Sequence, residues 1–233
     1  MARTRPAERL DQLAVAALAV FKRKGFKQTL MADVAEEMGV SAGLLYTYVE
    51  SKEALFDLVV RHTLIDDPSW LDAIEIPVRT PEPGSTVEFL RGVFGRRGQW
   101  PRLEAALKLA RADDPRAELG AVVDEQYQLM MRHRMGLLLL MCSTLEFPGL
   151  TEVFVLGLRK KLLAHFVRYI DSRVAARQFR KPKDTFACAA VLTSAIAWAN
   201  LQRPFDPGFT ALDEETTQEA TTEFIVNSLL PND

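Results

Sequence analysis

The chain is short of the residues that usually announce chemistry. It has two cysteines and three histidines in 233 residues. Neither Cys142 nor Cys188 has a second cysteine or a histidine at ligand spacing, so no metal site is expected. Both lie in strongly apolar stretches and read as small buried thiols in a reducing cytosol. The G-x-S-x-G nucleophile motif is missing, and no carboxylate pair stands apart from solvated helix faces. No catalytic residue and no cofactor is expected. Long apolar runs are missing too: the greasiest stretch, Met135 to Leu145, falls far short of the ~20 residues of a membrane span. The basic first residues are not followed by a signal-peptide core. These absences predict a soluble, cytoplasmic protein with no membrane partner. An excess of one charge is also lacking, with 29 basic and 31 acidic residues and a net charge of −2.

What is there is uneven. Residues 1–30 carry a net +5, whereas residues 31–62 carry −4. Positive charge gathered at one end is attractive to a phosphate backbone. Strand-like alternation is not seen, and nearly every segment has a helical period, so the fold class is all-α. Leu10, Leu13, Ala14, Ala17, Leu18 and Phe21 form one apolar stripe. Gly25 ends that helix. Thr29 is expected to cap a second helix with the stripe Met31, Val34, Ala35 and Met38, stopped by Gly39. Ser41 is expected to cap a short third helix, and Ser51 a fourth. Residues 66–85 read as a loop with a helical turn near Trp70. Further helices are expected over 86–95, 100–111, 115–146, 149–178, 184–202 and 213–230.

Residues 31–47 suit a helix-turn-helix. Small Ala35 allows a close crossing, Gly39 can take the positive φ of the turn, and Val40 and Leu45 can plug the angle. Such a unit places its second helix, here 41–47, in the major groove. Tyr46, Tyr48 and Lys52 then make sense as a clamp on phosphates beside the groove.

The runs "AALAVFKRKGF" (16–26) and "TLMADVAEEMGVSAGLLYTYVESKEALF" (29–56) resemble the DNA-binding domain of TetR-family transcriptional regulators. The resemblance implies a helix-turn-helix domain over 1–50 and a larger helical ligand-binding and dimerisation domain over 51–233. It implies a homodimer, joined through the C-terminal helices, on a palindromic double-stranded DNA operator. It further implies a repressor released by a small-molecule effector. Carried over by position, Thr29, Tyr48 and Lys52 would contact phosphates. Ser41, Ala42, Gly43, Leu44, Tyr46 and Thr47 would face the groove. Ala42 and Leu44 depart from the polar residues common there, so contacts to thymine methyls would replace hydrogen bonds. Arg3 and Arg5 would form a minor-groove arm.

Methionines and aromatics recur over 89–158, where core is the default reading. Adaptable apolar pockets also use methionine, and helical bundles place ligands between helices. Trp100, Tyr127, Met131, Met135 and Phe154 are the candidate ligand residues. A different class stays open beside the regulator: a helical small-molecule binding protein that has lost specific DNA recognition.

Overall fold

The computed structural model describes residues 6–97, 100–144, 146–147, 149–209 and 211–231. Among these, regular structure is helical, and β-pairing is confined to an isolated parallel bridge between Val49 and Val78. Two compact units form. One comprises residues 1–93 and 135–154; the other comprises 94–134 and 155–233. The boundary expected after residue 50 falls inside the first unit.

The first unit contains α1 (Pro6–Gln28), α2 (Met31–Met38), α3 (Ala42–Leu45), α4 (Lys52–Leu64), a 3₁₀ turn (Pro68–Ala73) and α5 (Ser85–Arg97). The chain returns to it through most of α8 (Arg134–Ser143). The inward stripe of α1 is the expected one: Leu10, Leu13, Ala14, Ala17, Leu18 and Phe21 are all buried. Gly25 interrupts α1 with φ 75°, ψ 170°, a conformation only glycine takes readily. His62 on α4 meets Asp11 on α1 at 2.8 Å. Asp57 on α4 accepts from Arg61 at 2.7 Å and from the Thr86 hydroxyl at 2.8 Å. α8 lies close against α4 because Gly136 has no side chain; a Cβ there would come within 2.9 Å of Thr63 Oγ1.

Several expectations need correction. The continuous helix over 115–146 is broken at His133 (φ −106°, ψ 19°), which closes α7 (Pro115–Arg132) by donating its N–H to Leu129 O. Thr29 does not cap α2. The N-cap is Leu30, whose N–H is taken by Asp33 Oδ2 at 2.9 Å, while the Thr29 hydroxyl turns back to Gly25 O at 2.6 Å. Cys142 is exposed and Cys188 only partly buried. On α8 the inward positions are Gly136, Leu139, Leu140 and Ser143, which leaves Met141 and Cys142 on the outer face.

The second unit packs α6 (Pro101–Lys108), α7, α9 (Lys160–Ala175), α10 (Thr185–Ala197) and α11 (Glu214–Leu229). Its core includes Trp100, Leu119, Val123, Tyr127, Phe166, Tyr169, Leu192, Ile196 and Ile225. π-helical segments precede α9 (Thr151–Arg159) and follow α10 (Trp198–Gln202), where uninterrupted helices were expected. A fully buried Arg173 is a node of this core. Its guanidinium donates to both Glu118 oxygens (2.7 and 2.9 Å) and to the carbonyls of Ala106 (2.7 Å) and Leu109 (3.0 Å).

Candidate nucleic-acid interface

The turn between α2 and α3 is built by Gly39 in the left-handed region (φ 67°, ψ 35°). The Gly39 and Val40 N–H groups close the end of α2 on Glu36 O and Ala35 O. Ser41 begins α3 with extended backbone, though its hydroxyl makes no capping bond. The helical path runs past α3, since Thr47, Tyr48 and Val49 donate their N–H groups to Leu44 O, Leu45 O and Leu45 O. Leu45 and Val49, four residues apart, point inward and are buried. The opposite side of this turn of helix points out. Leu44 is 39% exposed and Tyr46 52% exposed; Ser41, Gly43 and Thr47 are exposed as well. Ala42 and Tyr48 are half-buried at the edge of this face.

The back of the recognition turn has a support that the sequence pattern does not announce. Val78 donates its N–H to Tyr48 O at 2.7 Å, and its own carbonyl accepts from Glu50 at 3.0 Å. Two residues on, Thr80 bonds the Glu50 carboxylate and the Ser51 hydroxyl, both at 2.8 Å. Ser51 does cap α4, accepting from Ala54 N at 3.1 Å. Residues 78–80 belong to a segment rich in proline and acid, and a loop composition carries no signal of such pairing.

Two residues assigned to phosphate stand apart from this face. Thr29 is fully buried and its hydroxyl is committed to Gly25 O. Lys52 Nζ donates to the carbonyls of Phe26, Lys27 and Thr29. Arg3 and Arg5 lie outside the described residues. The charge map is also gentler than the sequence suggests. Arg23 pairs with Glu37 at 2.6 Å and Lys24 with Asp33 at 2.8 Å, so the basic end of α1 neutralises two of the three acids of α2. The Lys24 hydrogen bond, followed by that of Leu30 N–H, holds the Asp33 carboxyl below its usual range. Burial lowers the Lys22 ammonium.

The candidate ligand residues divide between the units. Trp100 and Tyr127 sit in the core of the second unit, and Met131 is partly buried there. Met135 and Phe154 are partly buried in the first unit. Tyr127 donates its hydroxyl to Glu214 at 2.8 Å; burial and then that carboxylate push the phenol well above its ordinary value. Glu214 also receives Arg134 and Arg203, each at 2.8 Å. Phe147, which falls among these aromatics in the sequence, instead joins Phe26 and Phe56.

A short helix, a left-handed glycine turn and a second short helix with an uncharged outward face define a helix-turn-helix reading head. Residues 13–59 match the family model described as "Bacterial regulatory proteins, tetR family". A Bacillus subtilis relative, the HTH-type transcriptional regulator YfiR, is 42% identical over 65 residues, covering 28% of this chain and 32% of the relative. The HTH-type transcriptional repressor KstR2 of Mycolicibacterium smegmatis is 36% identical over 68 residues, covering 29% of this chain and 31% of the relative. The matched segment thus spans about a third of each relative's own length. Among solved structures, the ketosteroid transcriptional regulator KstR2 of Mycobacterium tuberculosis superposes with TM-score 0.55 at 15% identity, covering 96% of both chains. A tetR-family regulatory protein from Rhodococcus RHA1 gives TM-score 0.53 at 17% identity over 99% of this chain and 100% of the other. The structural likenesses speak for the fold alone. The N-terminal head, residues 13–59, is thus similar to that of the bacterial tetR-family regulatory proteins.

Proposed function

We propose that the chain is a homodimeric, effector-responsive transcriptional regulator, most simply a repressor released from a palindromic operator by a small, mainly apolar molecule. The observation that carries this reading is the outward face of α3 and its following turn: Ser41, Gly43, Leu44, Tyr46 and Thr47, exposed and free of acidic residues. Leu44 offers an apolar contact for thymine methyls and Tyr46 a hydroxyl to bases and phosphates, while the Thr47 hydroxyl donates to Leu44 O at 2.6 Å and is left as an acceptor for base amino groups. Tyr48 and Ala42 stand at the edge of the face, and Arg3 and Arg5 would extend it into the minor groove. Residues 1–50 are assigned to reading and 51–233 to effector binding and dimerisation. Effector recognition is placed in the helical bundle of the second unit, near Trp100, Tyr127 and Met131.

Dimerisation through the C-terminal helices is supported by what α10 and α11 leave uncovered. Ala187, Val191 and Ser194 follow one another along one side of α10, which Trp198 continues just past its end, and Val191 is 63% exposed. Phe186 on α10 and Phe224 on α11 are exposed to a similar degree. Thr185–Phe205 is long and apolar enough to cross a membrane by length and composition. A two-fold helical interface accounts for the same apolar surface in a cytoplasmic regulator, and it sets the recognition helices about one helical turn of DNA, ~34 Å, apart. The acids over 31–62, which would disfavour a phosphate backbone, are in part neutralised by Arg23, Lys24 and Arg61.

Binding to the DNA flanking the chain's own gene, against excess random competitor and at two salt concentrations, tests the reading. The expected result is a specific complex that weakens steeply as salt rises. No preference for any flanking or library-selected duplex over the competitor would refute it.

A further inference from the structure

The corner between α1 and α2, residues 25–30, is gripped from two sides by side chains that meet its backbone. From the first residue of α4, the Lys52 ammonium donates to the carbonyls of Phe26 (2.9 Å), Lys27 (3.2 Å) and Thr29 (3.1 Å). It also lies 4.6 Å from the centre of the Phe26 ring. An ammonium has three N–H bonds, and three carbonyls use them all. From the turn after α8, Glu146 Oε2 accepts the Lys27 N–H at 3.0 Å. Its carboxylate fills the space a side chain on Gly25 would need, 2.7 Å from an ideal Cβ. The neighbouring Phe147 stacks on Phe56 (4.7 Å, 18°) and meets Phe26 edge-on at 5.3 Å. Glu146 and Phe147 are themselves folded onto α8, since both donate their N–H groups to Ser143 O.

We infer that Lys52, Glu146 and Phe147 are positioning residues that set the angle at which α2 and α3 leave α1, and that the end of α8 steers the reading head directly through this corner. The inference rests on the regulator reading for its purpose and on the geometry of the first unit for its substance. α2 has eight residues and α3 four, so their direction is fixed where they start. At that start the amide side of the corner is held by a carboxylate and the carbonyl side by an ammonium. A shift of the α8 end changes the first and rotates the ring of Phe147 against Phe26. Lys52 then acts on DNA through the backbone it orders, not as a counter-charge to a phosphate.

The test uses the full chain carrying Glu146→Ala, Glu146→Gln or Lys52→Met. Hydrogen exchange at the Lys27 amide is read without DNA, and affinity for a labelled duplex from the flanking DNA is read across a salt series. Glu146→Ala should speed Lys27 exchange and weaken DNA binding, each by about tenfold, as loss of one charge-assisted hydrogen bond implies. Glu146→Gln keeps an acceptor and should restore both. Lys52→Met should weaken binding with the salt slope unchanged, whereas a lost phosphate contact would lower the slope by about one. Unchanged Lys27 exchange in Glu146→Ala would overturn the inference, as would a slope reduced by about one in Lys52→Met. Faster exchange throughout, reaching Ile225 in α11, would also overturn it, because the effect would then be general unfolding. Wild-type chain that bound no DNA would refute the regulator reading, while the exchange result would still decide whether Glu146 holds the corner.

Discussion

In the N-terminal head, Phe21, Phe26, Phe56 and Phe147 meet ring against ring at 4.7 to 5.9 Å, and the polar side chains around them turn to nearby main-chain atoms. The second unit is closed differently. Arginines drawn into its interior reach across helices to carboxylates, Arg173 to Glu118 and Arg134 and Arg203 to Glu214, whereas each ion pair between helices of the head (Arg23–Glu37, Lys24–Asp33, His62–Asp11) keeps one partner exposed. The rings interlock, and each depends on the size of the rings it meets. An ion-pair node can be exchanged for apolar residues as long as both partners change together. On the regulator reading proposed above, the head would also have to hold one backbone geometry against DNA, while the bundle would have to fit only its effector and its partner protomer. A family model that ends at residue 59 is what this difference leads one to expect.

The largest effect should come from breaking a node on one side. Arg173→Met leaves Glu118 without its guanidinium and strands the Leu109 carbonyl, while the Ala106 carbonyl keeps the Leu109 N–H. Removing one partner of a buried pair costs about 3–5 kcal/mol. Urea unfolding should show that loss as a lower midpoint. Adding Glu118→Leu removes the stranded carboxylate and should recover about half of it, with the Leu109 carbonyl still unpaired and the Tyr169 hydroxyl newly so. In the head, Phe56→Ala should cost about 3–5 kcal/mol, and no second substitution at Phe21 or Phe26 should relieve it. Recovery in the head, or none in the second unit, would erase the comparison.

A smaller effect is set by pH. Burial raises the Glu214 carboxyl, but hydrogen bonds from Arg134 and Tyr127 outweigh it and hold the group below its ordinary range. A folded value below the unfolded one means the contribution is fully present above pH ~4.3, the ordinary glutamate value, and drains away as pH falls through the folded value. Glu214 is partly exposed, so screening keeps the contribution under about 1 kcal/mol. Wild type and Glu214→Gln should therefore differ in thermal midpoint near neutrality and converge in acid. A gap that widened in acid would reverse the sign and refute the assignment.

Much of the head is legible in the amino-acid sequence. Helix stripes, the left-handed Gly39 and the Ser51 cap are local, and local rules reach them. Thr29 failed as a cap because Asp33, three residues past Leu30, takes the Leu30 N–H from inside the helix and frees the threonine for Gly25. Cys142 failed as a buried thiol because the α8 stripe faces the other way. The grip of Glu146 on Lys27 spans 119 positions, and the Val78 bridge lies in a segment without period. Pairings of that length leave no mark in a window of a dozen residues. The apolar pattern of 115–146 likewise continues across His133, so a one-residue break in backbone angle was invisible to it.

The smallest effect probes the joint between the α8 end and the corner. Ser143 is fully buried, and among the described residues its hydroxyl has no hydrogen-bond partner. Its carbonyl, by contrast, carries the turn by accepting from Glu146 and Phe147. Ser143→Ala removes the hydroxyl, keeps the carbonyl and opens no cavity. A buried hydroxyl left unpaired costs about 1–3 kcal/mol, and alanine adds a few tenths through helix propensity. The variant should gain about 1 kcal/mol in unfolding free energy, with Lys27 exchange slowed or unchanged. Lost stability would mean that the hydroxyl is engaged, and the α8 end would then owe its place to a polar contact as the second unit's helices do, not to the ring packing that holds the rest of the head.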